Sequence, residues 1–224
     1  AGAGADANNA IDTVVTAEIV SSDVAADGDE VDGGDREGDV DVLADAGAVI
    51  GAEVISAAAS LGVGLVGVAV SIGSSTATNT VGAGEGSGVF ARVDDSDVDA
   101  ARDVDVKANA TADIDADIAG FSVAIAGGFV GAAGATQVTL ARNTIDYDVE
   151  ARILRDRGEG VEARDVTVRA TDAADILSFV GAASVAGAAG AYAGAISIAV
   201  AESDNRVLND VHAHVTNAAA DVRD

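Results

Sequence analysis

Two independent anchors recur along this chain at one spacing, and a repeating unit of about 62 residues constrains its fold more than any other feature. The first anchor is an Asn followed two residues later by Ile or Val: Asn9-Ala10-Ile11, Asn79-Thr80-Val81, Asn143-Thr144-Ile145 and Asn205-Arg206-Val207, at intervals of 70, 64 and 62 residues. Each leads to an alternating triplet, Val15-Ala17-Ile19, Val89-Ala91-Val93, Val149-Ala151-Ile153 and Val211-Ala213-Val215. The triplet starts six residues after the Asn in three cases and ten in the second, where a four-residue insertion around Gly84 to Gly88 intervenes. The second anchor is Asp39-Val40-Asp41-Val42, matched by Asp103-Val104-Asp105-Val106 and by Asp165-Val166-Thr167-Val168 at intervals of 64 and 62. These anchors divide the chain into 1–38 (the end of a preceding repeat plus an acidic loop), repeats 39–101, 102–163 and 164–220, and the start of a further repeat at 221–224. Partial units at both ends fit a stretch of a longer array, or a subunit completed by its neighbour.

Within a unit the periodicity predicts strands. In the middle unit, Val104, Val106, Ala108, Ala110, Ala112, Ile114, Ala116 and Ile118 alternate without a break with Asp103, Asp105, Lys107, Asn109, Thr111, Asp113, Asp115 and Asp117. A helix would scatter those Asp residues over every face, so period two means half-buried β structure. The first unit repeats the pattern from Val40 to Val54, and the third departs from it once, at Asp172. A second zone holds no charge at all: Val54 to Gly84, Ile118 to Ala141 and Ile176 to Ala201. Large residues still alternate there, as in Phe121-Val123-Ile125, and Gly127-Gly128 and Gly187 to Gly190 read as bends. We expect strands buried on both faces, with Ala, Gly and Ser where another layer approaches closely. The third zone, Asn143 to Ile153, is amphipathic again and opens into loops of variable length, the longest being the polar stretch Ser21 to Gly38.

The expected fold is therefore all-β: an elongated repeat array, either a β-solenoid or a stacked strand-repeat fibre. The alternative is β repeats carrying Gly/Ala-rich helical hairpins. Membrane-spanning helices are disfavoured. The uncharged zones are long enough, but they are Gly/Ala-rich, and neither a Lys/Arg asymmetry nor an aromatic belt flanks them. Membrane insertion is accordingly not expected.

Lys plus Arg number 12 against 38 Asp plus Glu, a net charge of −26, which excludes nucleic acid as a partner because nothing would neutralise its phosphates. Cys is absent, so no disulfide staples the units. The acidic loop Asp27-Gly28-Asp29-Glu30-Val31-Asp32-Gly33-Gly34-Asp35 alternates carboxylates with glycines, a donor set suited to Ca²⁺. Its candidate ligands are Asp27, Asp29, Asp32 and Asp35, and Ca²⁺ is the one cofactor the sequence offers. The loop fails the EF-hand pattern, since Asp32 stands where Gly is needed and the closing Glu is missing. Asp94, Asp95, Asp97 and Asp99 form a weaker cluster, and His212 and His214 leave one strand face together without a third ligand. Gly82-x-Gly84-x-Gly86-x-Gly88 lacks the Lys-Ser/Thr of a phosphate loop, and no nucleophile elbow or triad is present. The chain is not expected to be an enzyme.

The Gly/Ala-rich uncharged strand leading to Asn-Thr-Ile/Val and then Val-x-Ala-x-Ile is similar to the degenerate repeats of giant secreted bacterial surface proteins. Filamentous-haemagglutinin-like exoproteins, leukotoxin-type repeats and large repetitive adhesins share that style. The resemblance covers nearly the whole chain and implies an extracellular or cell-surface location. It also implies an elongated structural role as filament, stalk or fibre. Partial units at both ends add that the expected partner is the chain itself, as a homopolymer or as adjacent repeats of one chain, by β-strand complementation between units. A Ca²⁺-rigidified adhesin repeat and a membrane-active toxin repeat are the alternatives. No catalytic or binding residue transfers from it.

Overall fold

The computed structural model describes residues 1–30, 36–155, 160–216 and 220–222. A partial unit contributes β1 (Gly2–Ile11), β2 (Val14–Val20) and β3 (Asp23–Ala26), followed by a short antiparallel pair, β4 (Asp29–Glu30) and β5 (Arg36–Glu37). The first full unit holds β6 (Val40–Val63), β7 (Val66–Val81), β8 (Gly88–Asp94) and β9 (Asp97–Ala100). The second holds β10 (Asp103–Gly127), β11 (Val130–Ile145), β12 (Asp148–Leu154) and β13 (Val161–Ala163). The third holds β14 (Asp165–Ala189), β15 (Tyr192–Val207), β16 (Asp210–Thr216) and β17 (Ala220–Val222). No helix occurs among the described residues, so the helical-hairpin alternative is replaced by strand–bend–strand.

Each full unit places one strand in each of four sheets, ordered β6-β10-β14, β1-β7-β11-β15, β2-β8-β12-β16 and β3-β9-β13-β17. Every pairing in these four is parallel and joins equivalent residues of successive units: Val40 to Val104 to Val166, and Asn9 to Asn79 to Asn143 to Asn205. Asp221 and Val222, expected to open a further unit, pair with Glu162 and Ala163 of the strand that closes the second. The turns obey the same order. Ser21 N–H donates to Asp94 O, Asp95 N–H to Leu154 O and Arg155 N–H to Thr216 O, so the chain reverses without leaving backbone donors unmatched. Ser21 and Asp95 hold equivalent left-handed positions, with φ 48 and 50°.

The core follows the alternation read from sequence. Val40 to Val54 and Val104 to Ile118 bury every second residue, and Val89, Ala91, Val93, Val149, Ala151 and Ile153 close the same cluster from the opposite side. Fully burying an aliphatic chain such as Ile114 contributes about 1.5–3 kcal/mol, and many of these positions are Ala, which contributes less. Asp172 is the exception in the inward row, opposite Ala110. Its Oδ2 accepts from Asn209 Nδ2 at 2.7 Å, and Asn209 Oδ1 in turn accepts from the Tyr147 N–H at 2.8 Å.

The uncharged zones correct one expectation. Their small-residue face is buried, as anticipated: Ala124 and Ala126 pack on Ala69, Ala133 and Ala135 across the two long sheets. The other face is open rather than buried, with Leu61 72%, Phe121 53%, Phe179 67% and Ile196 70% exposed. The physical reason is stoichiometric: two sheets supply one shared interior, and that interior is filled by the small residues. Backbones approach there to within reach of a serine. Ser122 Oγ donates to Ser71 O at 3.0 Å and Ser184 Oγ to Ala135 O at 2.9 Å. A Cβ at Gly120 would collide with Gln137 of the facing sheet, whereas one at Gly134 would meet open space.

Gly120→Val should therefore lower stability by about 1–3 kcal/mol through overpacking, while Gly134→Val should be neutral or stabilising. Urea midpoints of the two variants, compared with the parent chain, check this pair.

Candidate functional site

The most ordered polar feature is the column of asparagines. Asn9 Nδ2 donates to Asn79 Oδ1, Asn79 Nδ2 to Asn143 Oδ1 and Asn143 Nδ2 to Asn205 Oδ1, each at 2.8 Å. Parallel in-register pairing holds successive amides at strand spacing, so each side chain both accepts and donates to its own kind. Asn79 and Asn143 are fully buried, and only an identical neighbour at the same height satisfies them there. This explains the sequence anchor: the Asn recurs because its partner is the next Asn.

A second column runs along the sheet of β2, β8, β12 and β16. Arg152 donates from Nε to Asp94 Oδ1 at 3.0 Å and from the terminal guanidinium to Asp94 Oδ2 at 2.6 Å, reaching back one unit. It also contacts Glu150 at 3.3 Å, which accepts from Arg92 Nε at 3.0 Å. Arg92 stacks over Phe90, 4.1 Å from the ring centroid. Hydrogen bonding to Asp94 pushes the Arg152 guanidinium further toward its charged form, although burial opposes this. On the long sheet the Lys107 ammonium, 2.6 Å from Asp105, holds that carboxyl below the usual range, against a smaller opposing effect of burial.

Of the predicted metal ligands Asp27, Asp29, Asp32 and Asp35, only the Asp27 side chain is described. Asp27 is exposed on the loop before β4 and Asp29 begins β4, while Asp32 and Asp35 lie outside the described residues. Among the described residues no three His, Asp, Glu or Cys side chains gather in a group that could hold a metal ion. In the weaker cluster Asp94 is engaged by Arg152, and Asp97 Oδ1 accepts from the Gly160 N–H at 2.8 Å. His212 and His214 both lie exposed on β16, with His214 Nε2 4.0 Å from Glu150 Oε1. The Gly82 to Ser87 segment forms a turn between β7 and β8, with Gly82 and Gly86 at φ 80 and 77° and the Gly84 N–H donating to Asp12 Oδ1 at 2.9 Å.

Sequence reading singled out the Asn column as a repeat marker only. It missed the apolar outer faces, because alternation alone does not say which of two apolar faces meets the other sheet. Comparison with protein-family models, curated proteins and solved structures finds no match to this chain.

Asn79→Ala strips Asn143 Oδ1 of its donor and Asn9 Nδ2 of its acceptor, which should cost about 1–3 kcal/mol. Asn205→Ala, at an exposed position, should cost clearly less, and chemical denaturation of the two variants checks the order. The depressed Asp105 carboxyl contributes stability above its unfolded-state titration range, lost as pH falls through its folded one. Lys107→Met should therefore weaken the protein at neutral pH and leave it equal to the parent in strong acid, a convergence that urea midpoints across pH would record.

Proposed function

We propose that this chain is a structural module of an extracellular filament, stalk or fibre, its units wound and stacked as a β-solenoid. One observation supports the reading above the others: equivalent residues of successive units pair in register in all four parallel sheets, with turns and the Asn column following the same order. Side chains at equivalent positions form columns along the stack. Chemistry is thereby spread along an axis instead of converging on one pocket, which suits a scaffold. A further rung, of this chain or of another copy, has an edge strand to join in every one of the four sheets. β14, β15, β16 and β17 stand last in their sheets on one side, and β6, β1, β2 and β3 on the other. Unpaired parallel edges are templates for strand addition. Asn205 is poised at one of them to continue the amide column. The acidic surface keeps such an array dispersed and away from nucleic acid.

Electron microscopy and sedimentation of the purified chain over a range of concentrations test the proposal. Linear particles of constant width should lengthen with concentration, with a strand spacing of about 4.8 Å along the axis in diffraction. Asn205→Asp on the edge strand β15 still accepts from Asn143 Nδ2 but cannot donate to a further rung and puts a charge at the end of the amide column, so it should leave the parent fold intact and stop elongation. A chain that stays monomeric at every concentration, with or without Asn205→Asp, overturns the self-stacking reading.

A further inference from the structure

The uncharged zones form a flange that projects beyond the acidic part of the units, and its polarity is inverted. Polar and small side chains fill the interior: Ser56, Ser71, Ser75, Ser122, Gln137 and Thr139 are all buried. Ser56 and Ser75 hydrogen bond to each other at 2.6 Å between the sheets. Large apolar side chains face out from both sheets. Ile55, Leu61 and Val63 on β6, Phe121 and Ile125 on β10, and Phe179 and Val185 on β14 cover one side. Val66, Val68, Val70 and Ile72 on β7, and Tyr192, Ile196 and Ile198 on β15, cover the other. The bends between the sheets expose Leu65 and Phe129, so the apolar surface continues around the tip.

A chain folding in water puts its large apolar residues inward when it can. Here the same alternation could have done so by a one-residue change of phase, and it does not. Polar-in, apolar-out strands are the arrangement of β structure whose outer solvent is hydrocarbon. Four further observations agree. From the last charged residue to the bend, β6 runs from Glu53 to Gly64 and β10 from Asp117 to Gly128, about 36 Å at strand rise. The returning strand β15 covers about 33 Å from Tyr192 to Glu202. A bilayer's hydrocarbon core is about 30 Å thick. Backbone donors at the tip are matched unit to unit: Gly64 N–H to Gly127 O, Gly128 N–H to Ala189 O, Val130 N–H to Leu65 O and Tyr192 N–H to Phe129 O. That is the condition for placing a bend in hydrocarbon. A shallow apolar furrow also crosses the β7–β11–β15 face, walled by Val68, Val70 and Ile196 and floored by Ala132, Gly134 and Gly194, a shape that fits an extended acyl chain. Finally, a partner protein would cover one face, whereas here both faces and the tip need covering together.

The geometry points to insertion of this flange into the hydrocarbon of a zwitterionic lipid bilayer, with the acidic part of each unit left in water. The Gly/Ala richness and the missing Lys/Arg asymmetry disfavour membrane-spanning helices, whereas these zones are strands. The outer edges of the flange, on β6, β7, β14 and β15, are covered only when further rungs stack on them, and hydrocarbon admits no open sheet edge, so the inference rests on the stacking proposed above.

Flotation of the full chain with phosphatidylcholine vesicles tests it, at a concentration where sedimentation shows stacked chains. The protein should rise with the vesicles, and less so when phosphatidylserine is added, because of its charge of −26. Phe121→Asp combined with Ile125→Asp should reduce partitioning at least about tenfold, with circular dichroism showing that the β fold persists. The chain lacks cysteine, so Leu65→Cys and Asp113→Cys each accept a single environment-sensitive fluorophore. The probe at position 65 should shift to the blue and be quenched by spin-labelled acyl chains, and the probe at 113 should do neither. Protein that stays at the bottom of the gradient overturns the proposal. So does a probe at 65 that is shielded equally without vesicles because two copies cover each other's flanges. Sedimentation without vesicles reads the stacking by itself, so a failure to float and a failure to elongate are distinguishable.

Discussion

Every other feature of this structure depends on in-register parallel pairing between equivalent residues of successive units. Parallel ladders align each residue with its own counterpart, so whatever a side chain needs must be supplied by a like side chain one unit away. Apolar residues meet that condition without cost, which is why Val40, Val104 and Val166 stack in one line. Asparagine meets it although polar, because its amide both donates and accepts. The pairing also limits where the chain can vary. Extra residues are accommodated between strands, at the Gly82 to Ser87 turn, and not within them.

Like charges are the difficulty that such pairing creates. Asp39, Asp103 and Asp165 occupy equivalent positions at the start of three units. Arginines staggered by one residue relieve the column: Arg164 lies 3.5 Å from Asp103 and Arg102 lies 3.9 Å from Asp39. Elsewhere the column is broken by composition, as where Lys107 stands between Leu43 and Arg169 and takes Asp105 as its partner. On the shorter sheet Arg152 bridges Asp94 and Glu150. These pairs are partly exposed and individually weak. Their effect is to permit a strongly acidic surface on an array whose geometry places equivalent residues a strand spacing apart.

The two long sheets meet through alanine, glycine and serine, so they lie close together and exclude large residues from the space between them. Gln137 shows how tight the fit is: it is fully buried in room left by Gly73 and Gly120, where added Cβ atoms would collide with its amide. Dispersion across such an interface is dense but involves few atoms per residue. The bulk of the apolar volume in these zones therefore sits outside the sheets, where it is available to whatever surrounds them.

The sequence by itself determined the unit length, the strand assignment and the inward row of each amphipathic zone, because period-two alternation and the spacing of identical anchors are local properties of the chain. It placed bends close to Gly128 and Gly190, although Gly127 and Gly187 to Ala189 remain strand and the chain bends at Gly128-Phe129 and Gly190-Ala191. The role of the asparagines was hidden, since a column exists only once residues 62 or more apart are side by side. Of the acidic-loop carboxylates, Asp32 and Asp35 lie outside the described residues. Carboxylates alternating with glycine describe a composition, and a metal site requires convergence that composition does not specify. Which face of the uncharged strands is buried was decided only by the tertiary structure. Both faces are apolar, so no polarity signal distinguishes them. The choice is made by the distance at which two sheets can pack, and that distance selects Ala124, Ala126, Ala133 and Ala135 for the interior and leaves Phe121 and Ile125 outside.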